Sequence, residues 1–310
     1  MSLKDAAEIL RRRAAYRVEV DLPLAPLTTY RLGGPAALFV EPDTVDDLHD
    51  AAGALDEAGV LNAPSLVLGR GSNVVVSDEG FDGVVIHLGR AFATVRPSDD
   101  GIVAGAAATQ PITANRAAAG ARAGLEFMVG IPGSIGGAVR MNAGAHAAET
   151  SDVLSRVTVL DLDSGVVEQR AAASLDLSYR HSNITDREVV LEAEFVLGED
   201  DPAAIRARTE AYRRHRAETQ PGALQNAGST FKNPPGDHAG RLVDEAGLKG
   251  FSVGGVAVSE LHANFFVSRP DARAQDVFDL VRSVRERVEA STGVRLEPEV
   301  RFVGRFQGEL

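Results

Sequence analysis

Apolar residues recur with two different periods along the chain, and each period predicts a different element. Between 271 and 290 the spacing of three and four residues is that of one helical face, with apolar residues at 277, 280, 281, 284 and 288. Residues 44–58 repeat this pattern, with Thr44 suited to the N-cap and Gly59 to the position just past the helix end. From 189 to 197, apolar and polar residues alternate as in a strand.

Turn residues divide the rest of the chain into further elements. Residues 66–88 read as three strands joined by two turns, 153–169 as a hairpin, and 296–304 as a closing strand. The remaining expected elements are helices at 4–15, 110–123, 203–218 and 237–246, and short strands near 252–258 and 264–268. A domain boundary is expected in the acidic segment 198–202. The pattern therefore predicts a chain of mixed α and β structure with about two or three domains.

The stretch from Gly124 to Gly144 contains six glycines. A packed helix or a regular strand does not tolerate this density, because each glycine costs roughly 0.5–1 kcal/mol against alanine. Together with Pro132, Ser134 and Asn142, the glycines predict an extended loop with bare backbone N–H groups. Such a backbone can approach a phosphate-bearing ligand closely. One interpretation is a nucleotide-cofactor platform, and the other is a long structural loop with tight turns.

A second glycine turn, 69–73, resembles the start of a dinucleotide-binding fingerprint. The third glycine of that fingerprint is missing, because Val74 occupies its position. The turn also leads into a run of valines rather than into a helix. Both features argue against a Rossmann site. A phosphate-binding turn, with Ser72 and Asn73 as side-chain donors, and a plain hairpin loop both remain open.

Composition narrows the possible chemistry. The 310-residue chain has a net charge of −12, so we expect neither nucleic acid nor a membrane as a partner. It contains no cysteine, which excludes disulfides, iron–sulfur clusters and a cysteine nucleophile, and we expect no metal site. We find no signal peptide, and no stretch reaches the roughly 18 apolar residues of a membrane span. We therefore expect a cytoplasmic protein, and we expect it to be a monomer.

Four segments, in order, resemble one enzyme family. They are GRGSNVVVSDEGFDGVVIHL, GLEFMVGIPGSIGGAVRMNAGAHAAE, YRHS with NAGSTFKNP, and LEPEVRFVG. The chain is similar to the UDP-N-acetylenolpyruvoylglucosamine reductases, the MurB flavoenzymes of peptidoglycan precursor synthesis. The resemblance implies an α+β protein with an FAD-binding fold of the vanillyl-alcohol-oxidase (PCMH) type. It further implies two α/β FAD-binding subdomains, 1–88 and 89–200, a separate α+β substrate domain at 201–296, and a segment 297–310 that returns to the second subdomain.

The resemblance also implies which residues hold the cofactor. The implied FAD-binding residues are Gly69, Arg70, Gly71, Ser72 and Asn73, and Gly130, Ile131, Pro132, Gly133, Ser134, Ile135, Gly136 and Gly137. We expect position 136 to require glycine, because a side chain there would stand where the cofactor must approach. No histidine lies in 69–73 and no cysteine occurs anywhere, so the FAD is expected to be non-covalent. NADPH is the implied co-substrate.

Three residues stand in the catalytic contexts of the family. By resemblance, Arg180 binds the carboxylate of the enolpyruvyl UDP-sugar and stabilises the enediolate, Glu299 acts beside it as a polarising acid, and Ser229 delivers the proton. From the residues alone, Arg180 and Glu299 would read as an ordinary salt-bridged pair, and Ser229 as a turn residue. On a strand, Glu299 and Arg301 would share one face. The second-rank candidates for substrate contacts are Tyr179, Lys232, Asn233, Asn264 and Arg301.

The chain departs from some family members in one respect. They carry a tyrosine-bearing insertion that folds over the substrate pyrophosphate, whereas only 48 residues separate Arg180 from Ser229 here, with Tyr212 as the single tyrosine among them. Arg213, Arg214 or Lys232 would then replace the insertion. The alternative functions are an FAD-dependent sugar or alcohol oxidase of the same fold and a nucleotide-binding protein without turnover.

Overall fold

The computed structural model of the chain describes residues 2–222 and 225–310. Seven α-helices occur within these residues: α1 Leu3–Arg13, α2 Val45–Glu57, α3 Gln110–Ala119, α4 Ile135–Arg140, α5 Pro202–Thr219, α6 Ala239–Glu245 and α7 Ala274–Thr292. None of the helices described is both long enough and apolar enough to cross a bilayer.

The strands of the described residues are mostly short. They are β1 Arg17–Pro23, β2 Pro35–Glu41, β3 Ser65–Val67, β4 Val74–Val76, β5 Phe81–Ile86, β6 Val95–Ser98, β7 Gly101–Gly105, β8 Arg122–Ala123, β9 Gly144–Ala145, β10 Ala148–Glu149, β11 Leu154–Asp161, β12 Val167–Ala171, β13 Glu188–Val196, β14 Gly198–Glu199, β15 Ser252–Val253, β16 Val256–Val258, β17 Phe266–Ser268 and β18 Arg301–Val303.

Contacts between Cα atoms divide the chain into two compact units. Unit 1 comprises Met1–Asp21, Ala37–Arg70 and Gly83–His215, and unit 2 comprises Leu22–Ala36, Gly71–Asp82 and Arg216–Leu310. The returning segment 297–310 lies in unit 2, where β18 pairs with β4. The predicted boundaries after residues 88, 200 and 296 separate segments by whether they bind FAD or the substrate. These boundaries stay a prediction.

Unit 1 is built around two sheets. The first has the strand order β1-β2-β5-β3, with β3 and β5 parallel. The second is antiparallel, in the order β12-β11-β13-β7-β6. Helix α2 begins at the predicted cap, since the Thr44 hydroxyl accepts a hydrogen bond from the Asp47 N–H at 3.1 Å. Its buried face contains Leu48 and Leu55, and burial of a leucine side chain contributes roughly 1.5–3 kcal/mol.

Unit 2 packs α6 and α7 with the three-stranded antiparallel sheet β15-β16-β17. The predicted apolar face of α7 is buried, and Gly293 ends the helix in the left-handed conformation at φ 73°. At the other end, the Asp78 carboxylate accepts hydrogen bonds from the N–H groups of Ala274 at 2.9 Å and Gln275 at 3.0 Å. A negative charge at this position also complements the helix dipole.

Two predicted elements differ in the structure. The extended loop expected across the glycine stretch is wrong over Ile135–Arg140, which forms α4. Ser134 makes this helix possible, because its hydroxyl accepts the Gly137 N–H at 3.3 Å as an N-cap. The closing strand begins only at Arg301, because the N–H groups of Glu299 and Val300 both donate to the Thr230 carbonyl. The prediction that Glu299 and Arg301 share one strand face therefore loses its basis.

Candidate active site

The glycine stretch keeps fewer bare N–H groups than its composition suggests. The N–H groups of Ile135 and Gly136 donate to the Ala108 and Ala106 carbonyls, both at 2.9 Å. Gly133 and Ser134 are buried, and their N–H groups donate to no residue in the described part of the chain. Because a buried N–H group without a partner is costly, these two donors indicate a ligand with hydrogen-bond acceptors.

Close packing explains two glycines of the predicted cofactor segments. A Cβ atom on Gly69 would lie 2.3 Å from the Ser134 hydroxyl oxygen, so glycine at 69 allows the two segments to touch. A Cβ atom on Gly136 would meet the Ala106 Cβ at 3.1 Å. A side chain at 136 would thus be tightly packed against Ala106 within unit 1, and the predicted reason for this glycine, direct access for the cofactor, stays a prediction.

The turn 69–73 is the richer source of bare donors. None of the five N–H groups of this turn donates to a residue in 2–222 or 225–310. Gly71 is left-handed at φ 61°, and a Cβ atom there would lie 2.3 Å from the Leu27 carbonyl oxygen. The turn does not close a hairpin, because β3 pairs with β5 whereas β4 pairs with β18. Successive bare N–H groups around a left-handed glycine fit an anion such as a pyrophosphate.

Arg180 lies at the tip of a tight turn in unit 1. Ser178 and His181 close the turn with reciprocal backbone hydrogen bonds of 3.3 and 3.0 Å. Arg180 is left-handed at φ 56°, which is uncommon for a residue with a long side chain. Its guanidinium carbon lies 4.9 Å from the centre of the Tyr179 ring, and its Nη2 donates to the Gly144 carbonyl at 3.1 Å. The fold thus fixes both the backbone and the side chain of this arginine.

Ser229 and Glu299 lie on neighbouring segments of unit 2. Thr230, which follows Ser229, donates its N–H to the Asn264 carbonyl at 2.8 Å and accepts the Glu299 N–H at 2.8 Å. The Ser229 hydroxyl is half-buried and makes no hydrogen bond to a described residue. The Asn73 side chain donates to the Glu299 carbonyl at 3.2 Å. Unit 2 therefore brings together two predicted catalytic residues and one end of the predicted cofactor turn.

The second-rank candidates have more varied surroundings. Asn264 is buried, and both ends of its amide bind the backbone of Phe231, at 2.9 and 2.8 Å. This use argues against the predicted contact of Asn264 with the sugar. Asn233 accepts the Ala239 N–H at the start of α6 at 3.0 Å, and Lys232 Nζ lies 2.6 Å from a carboxylate oxygen of Glu297. The Arg301 N–H donates to the Asn73 carbonyl at 3.0 Å.

An aromatic cluster in unit 1 has no counterpart in the predicted site. The His146 ring stacks on Tyr212 with centroids 4.0 Å apart, and His215 meets His146 edge-on at 5.4 Å. His146 and Ala147 form a two-residue turn between β9 and β10 with φ values of 55° and 60°. Nothing in the sequence pattern predicts this stacking, because it joins residues far apart in the chain. Among the described residues, no three His, Asp or Glu side chains are grouped to hold a metal ion.

The predicted residues are divided between the units. Unit 1 contains Arg180, Tyr179, Gly69, Arg70 and the segment 130–137. Unit 2 contains the remaining members, which are Gly71, Ser72, Asn73, Ser229, Lys232, Asn233, Asn264, Glu299 and Arg301. Two buried amides, Asn142 in unit 1 and Asn264 in unit 2, support the segments that carry the predicted catalytic residues.

Comparison with known proteins covers both parts of the chain. Residues 220–303 match the family described as UDP-N-acetylenolpyruvoylglucosamine reductase, C-terminal domain, and residues 36–169 match the FAD binding domain family. The UDP-N-acetylenolpyruvoylglucosamine reductase of Acidiphilium cryptum is 45% identical over 288 residues, which cover 93% of this chain and 92% of the relative. The enzyme of Heliobacterium modesticaldum is 42% identical over 290 residues, which cover 93% and 91%.

A solved structure gives the same result for the fold. The crystal structure of the MurB reductase from Thermus caldophilus superposes with a TM-score of 0.81 at 37% identity, covering 93% of this chain and all of the other. The predicted α+β class is confirmed, with an FAD-binding domain of the PCMH type and a MurB C-terminal domain. The chain belongs to the UDP-N-acetylenolpyruvoylglucosamine reductase (MurB) family of flavin oxidoreductases.

Proposed function

We propose that the protein uses NADPH to reduce UDP-N-acetylglucosamine enolpyruvate to UDP-N-acetylmuramate in the cytoplasm. Family membership supports the reaction class. The observation that carries the proposal is the backbone pairing of the Ser229 segment with Glu299 around Thr230. This pairing brings a hydroxyl that binds no residue of 2–222 or 225–310 and a carboxyl group onto adjacent segments, which suits proton delivery next to a carbanion-like centre.

The bare backbone donors hold the cofactor in this proposal. The N–H groups of Gly133 and Ser134, and those of the turn 69–73, bind the FAD pyrophosphate through hydrogen bonds to anionic oxygens. Bound FAD supplies the two-electron chemistry between NADPH and the carbon–carbon double bond of the substrate. No covalent link is needed for retention, because backbone donors bind the cofactor along its phosphates.

Each proposed catalytic residue has one task. The Arg180 guanidinium binds the enolpyruvyl carboxylate, since its planar fork matches a carboxylate and its charge stabilises the enediolate. Glu299 acts as a hydrogen-bonding acid toward the same group, which requires its protonated form during turnover. The Ser229 hydroxyl gives its proton to the carbon beside the carboxylate and must recover it from solvent or a neighbouring group.

The supporting roles are assigned to polar and charged side chains of both units. Lys232, half-buried beside Glu297, binds the substrate phosphates, with Arg213 and Arg214 as further candidates. Tyr179, Asn233 and Arg301 remain proposed contacts of the UDP-sugar. Asn264 instead acts on the Ser229 segment, because both ends of its amide are bound to Phe231.

A cofactor-release and turnover assay tests the proposal. Purified protein should be yellow and should release FAD on denaturation without proteolysis. NADPH oxidation should depend on the enolpyruvyl UDP-sugar and should yield the lactyl ether, detected by mass spectrometry. Oxygen consumption with a sugar or alcohol and no NADPH would instead indicate the oxidase. Protein that neither contains nor accepts FAD would contradict both functions.

A further inference from the structure

We infer that Asn142 is a positioning residue for Arg180: its buried amide fixes the turn from which the arginine reaches the substrate carboxylate. The inference rests on the proposed function, which gives Arg180 its task. It concerns a residue that touches neither substrate nor cofactor in that proposal.

Asn142 is fully buried, with 0% of its surface exposed. Its Nδ2 donates to the Ser178 carbonyl at 3.1 Å, and its Oδ1 accepts the Ser151 N–H at 2.9 Å. Ser178 is one of the two residues that close the Arg180 turn. One side chain therefore joins the end of the glycine stretch to the base of that turn and to the segment after β10.

Three contacts of the same kind make a continuous clasp between 140–144 and 178–182. The Ser182 hydroxyl donates to the Arg140 carbonyl at 2.8 Å, and Arg180 Nη2 donates to the Gly144 carbonyl at 3.1 Å. The Asn142 amide lies between these two contacts in sequence and is the only one of the three that is completely buried. Loss of its donor would leave the Ser178 carbonyl without this bond and release the middle of the clasp.

Backbone conformation points to the same residue. Asn142 has φ 39° and Arg180 has φ 56°, both in the left-handed region. Asparagine tolerates this region, whereas for arginine it is a strained state that the surroundings must impose. A clasp on both sides of Arg180 provides that constraint. Because misplacement of a catalytic group by about 1 Å can cost about 100-fold in rate, the constraint matters for turnover.

The principal variant is Asn142→Asp, and Asn183→Asp makes the same chemical change at an exposed asparagine near the Arg180 turn. The substitution at 142 keeps an oxygen for the Ser151 N–H but replaces the donor to Ser178 with a second acceptor. Asn183 lies in the same loop and donates its Nδ2 to the Ser174 carbonyl at 2.8 Å, away from the tip of the turn. We expect Asn142→Asp to lower kcat/KM for the enolpyruvyl UDP-sugar about 10- to 100-fold, and the exposed substitution Asn183→Asp to lower it by less than about 3-fold.

Two further readouts separate positioning from general damage. Flavin reduction by NADPH, measured in single turnover, should change by less than about 2-fold in Asn142→Asp. Calorimetric binding of the enolpyruvyl UDP-sugar should weaken about 10-fold, whereas binding of UDP-N-acetylglucosamine, which lacks the carboxylate, should not change. Equal losses in both half-reactions, or equal weakening of both ligands, would overturn the inference.

A double-mutant cycle with Arg180→Lys completes the test. If Asn142 acts through Arg180, adding Asn142→Asp to Arg180→Lys should lower kcat/KM by less than about 3-fold more. Multiplicative effects would overturn the inference. Asn142→Gly tolerates the left-handed backbone and replaces Asn142→Asp throughout if the aspartate variant does not fold. A wild-type protein that fails to reduce the enolpyruvyl UDP-sugar would refute the proposed function itself, and with it the role of Arg180.

Discussion

Two serine-containing glycine loops look alike in the sequence and differ in the structure. Ser134, in the glycine stretch of unit 1, uses its hydroxyl to cap α4 and lies against Gly69. Ser229, in unit 2, is held by the backbone bonds of Thr230 while its own hydroxyl binds no described residue. The Ser134 hydroxyl supports the fold, whereas the Ser229 hydroxyl is the proton donor of the proposed function.

The difference identifies how each loop is stabilised. The unit 1 loop is fixed by its own side chain and by glycines that permit close packing. The unit 2 loop is fixed from outside, by Asn264 on one side and by Glu299 on the other. A serine hydroxyl proposed to donate a proton needs its backbone held by other groups, and the Ser229 loop meets that condition through Asn264 and Glu299.

Removing the two hydroxyl groups should affect different properties, the rate of one half-reaction for Ser229 and the stability of the fold for Ser134. The rate change at Ser229 is the largest effect that we expect. Ser229→Ala should leave flavin reduction by NADPH within about 2-fold and slow oxidation of the reduced flavin by substrate by about 10²–10⁴-fold. Ser134→Ala should instead lower the free energy of unfolding by about 0.5–2 kcal/mol, the cost of a lost N-cap. Stopped-flow absorbance of the flavin and urea denaturation measure the two effects. If Ser229→Ala slowed both half-reactions equally, the proton-donor assignment would be wrong.

A smaller effect tests the close approach of Gly69 to Ser134. Gly69→Ala should lower the free energy of unfolding by about 1–3 kcal/mol, as for other overpacked positions, and should weaken FAD binding. The Ser134 hydroxyl is the nearest obstacle, at 2.3 Å from the added Cβ. Removing this oxygen should relieve part of the strain, so the loss in Gly69→Ala/Ser134→Ala should be smaller than the sum of the single losses. Strict additivity would falsify this account of the contact.

The sequence pattern predicted the regular elements well and the irregular ones poorly. Helix α2 carries local signals at its two ends, Thr44 at the start and Gly59 just past the end, and both are confirmed. Helix α4 was missed, because its glycines lower the intrinsic helix propensity while tertiary hydrogen bonds to Ala106 and Ala108 and the Ser134 cap support it. Local preference was overruled by contacts that no window of sequence contains.

The candidate site divides in the same way. The sequence motifs identified candidate site residues at 69–73, 180, 229 and 299. They did not indicate which polar side chains and backbone groups already form hydrogen bonds within the fold. Asn264 and Asn142 show the limit: each is an asparagine in a polar segment, and only the three-dimensional structure reveals that its amide binds a distant backbone. Bare N–H groups were predicted for the whole glycine stretch. Within residues 131–137, however, only the N–H groups of Gly133 and Ser134 donate to no described residue.

The smallest effect that we expect is a pH dependence of stability. It should arise near the Ser229 loop of unit 2 and not at the contact of Ser134 with Gly69 in unit 1. His262 accepts the Asn264 N–H at its Nδ1, at 3.2 Å, and so supports the residue that holds the Ser229 segment. Burial, together with the charge of Lys249, lowers the pKa of His262 below its ordinary value of 6.5. Ser134 and Gly69, at the contact in unit 1, carry no group that titrates in this range.

Stability should therefore fall on acidification through His262. Because the folded pKa is depressed, the unfolded chain binds more protons once the pH drops below 6.5; the contribution of His262 is complete above that value and is lost as the pH falls through the folded pKa. His262→Gln should flatten this part of the pH dependence of the unfolding free energy, measured by urea denaturation between about pH 5 and 8. Lys249→Met should raise the His262 pKa toward its ordinary value, because it removes the repulsion between the two charges. An identical slope in wild type and His262→Gln would show that this imidazole does not couple protonation to the Ser229 loop.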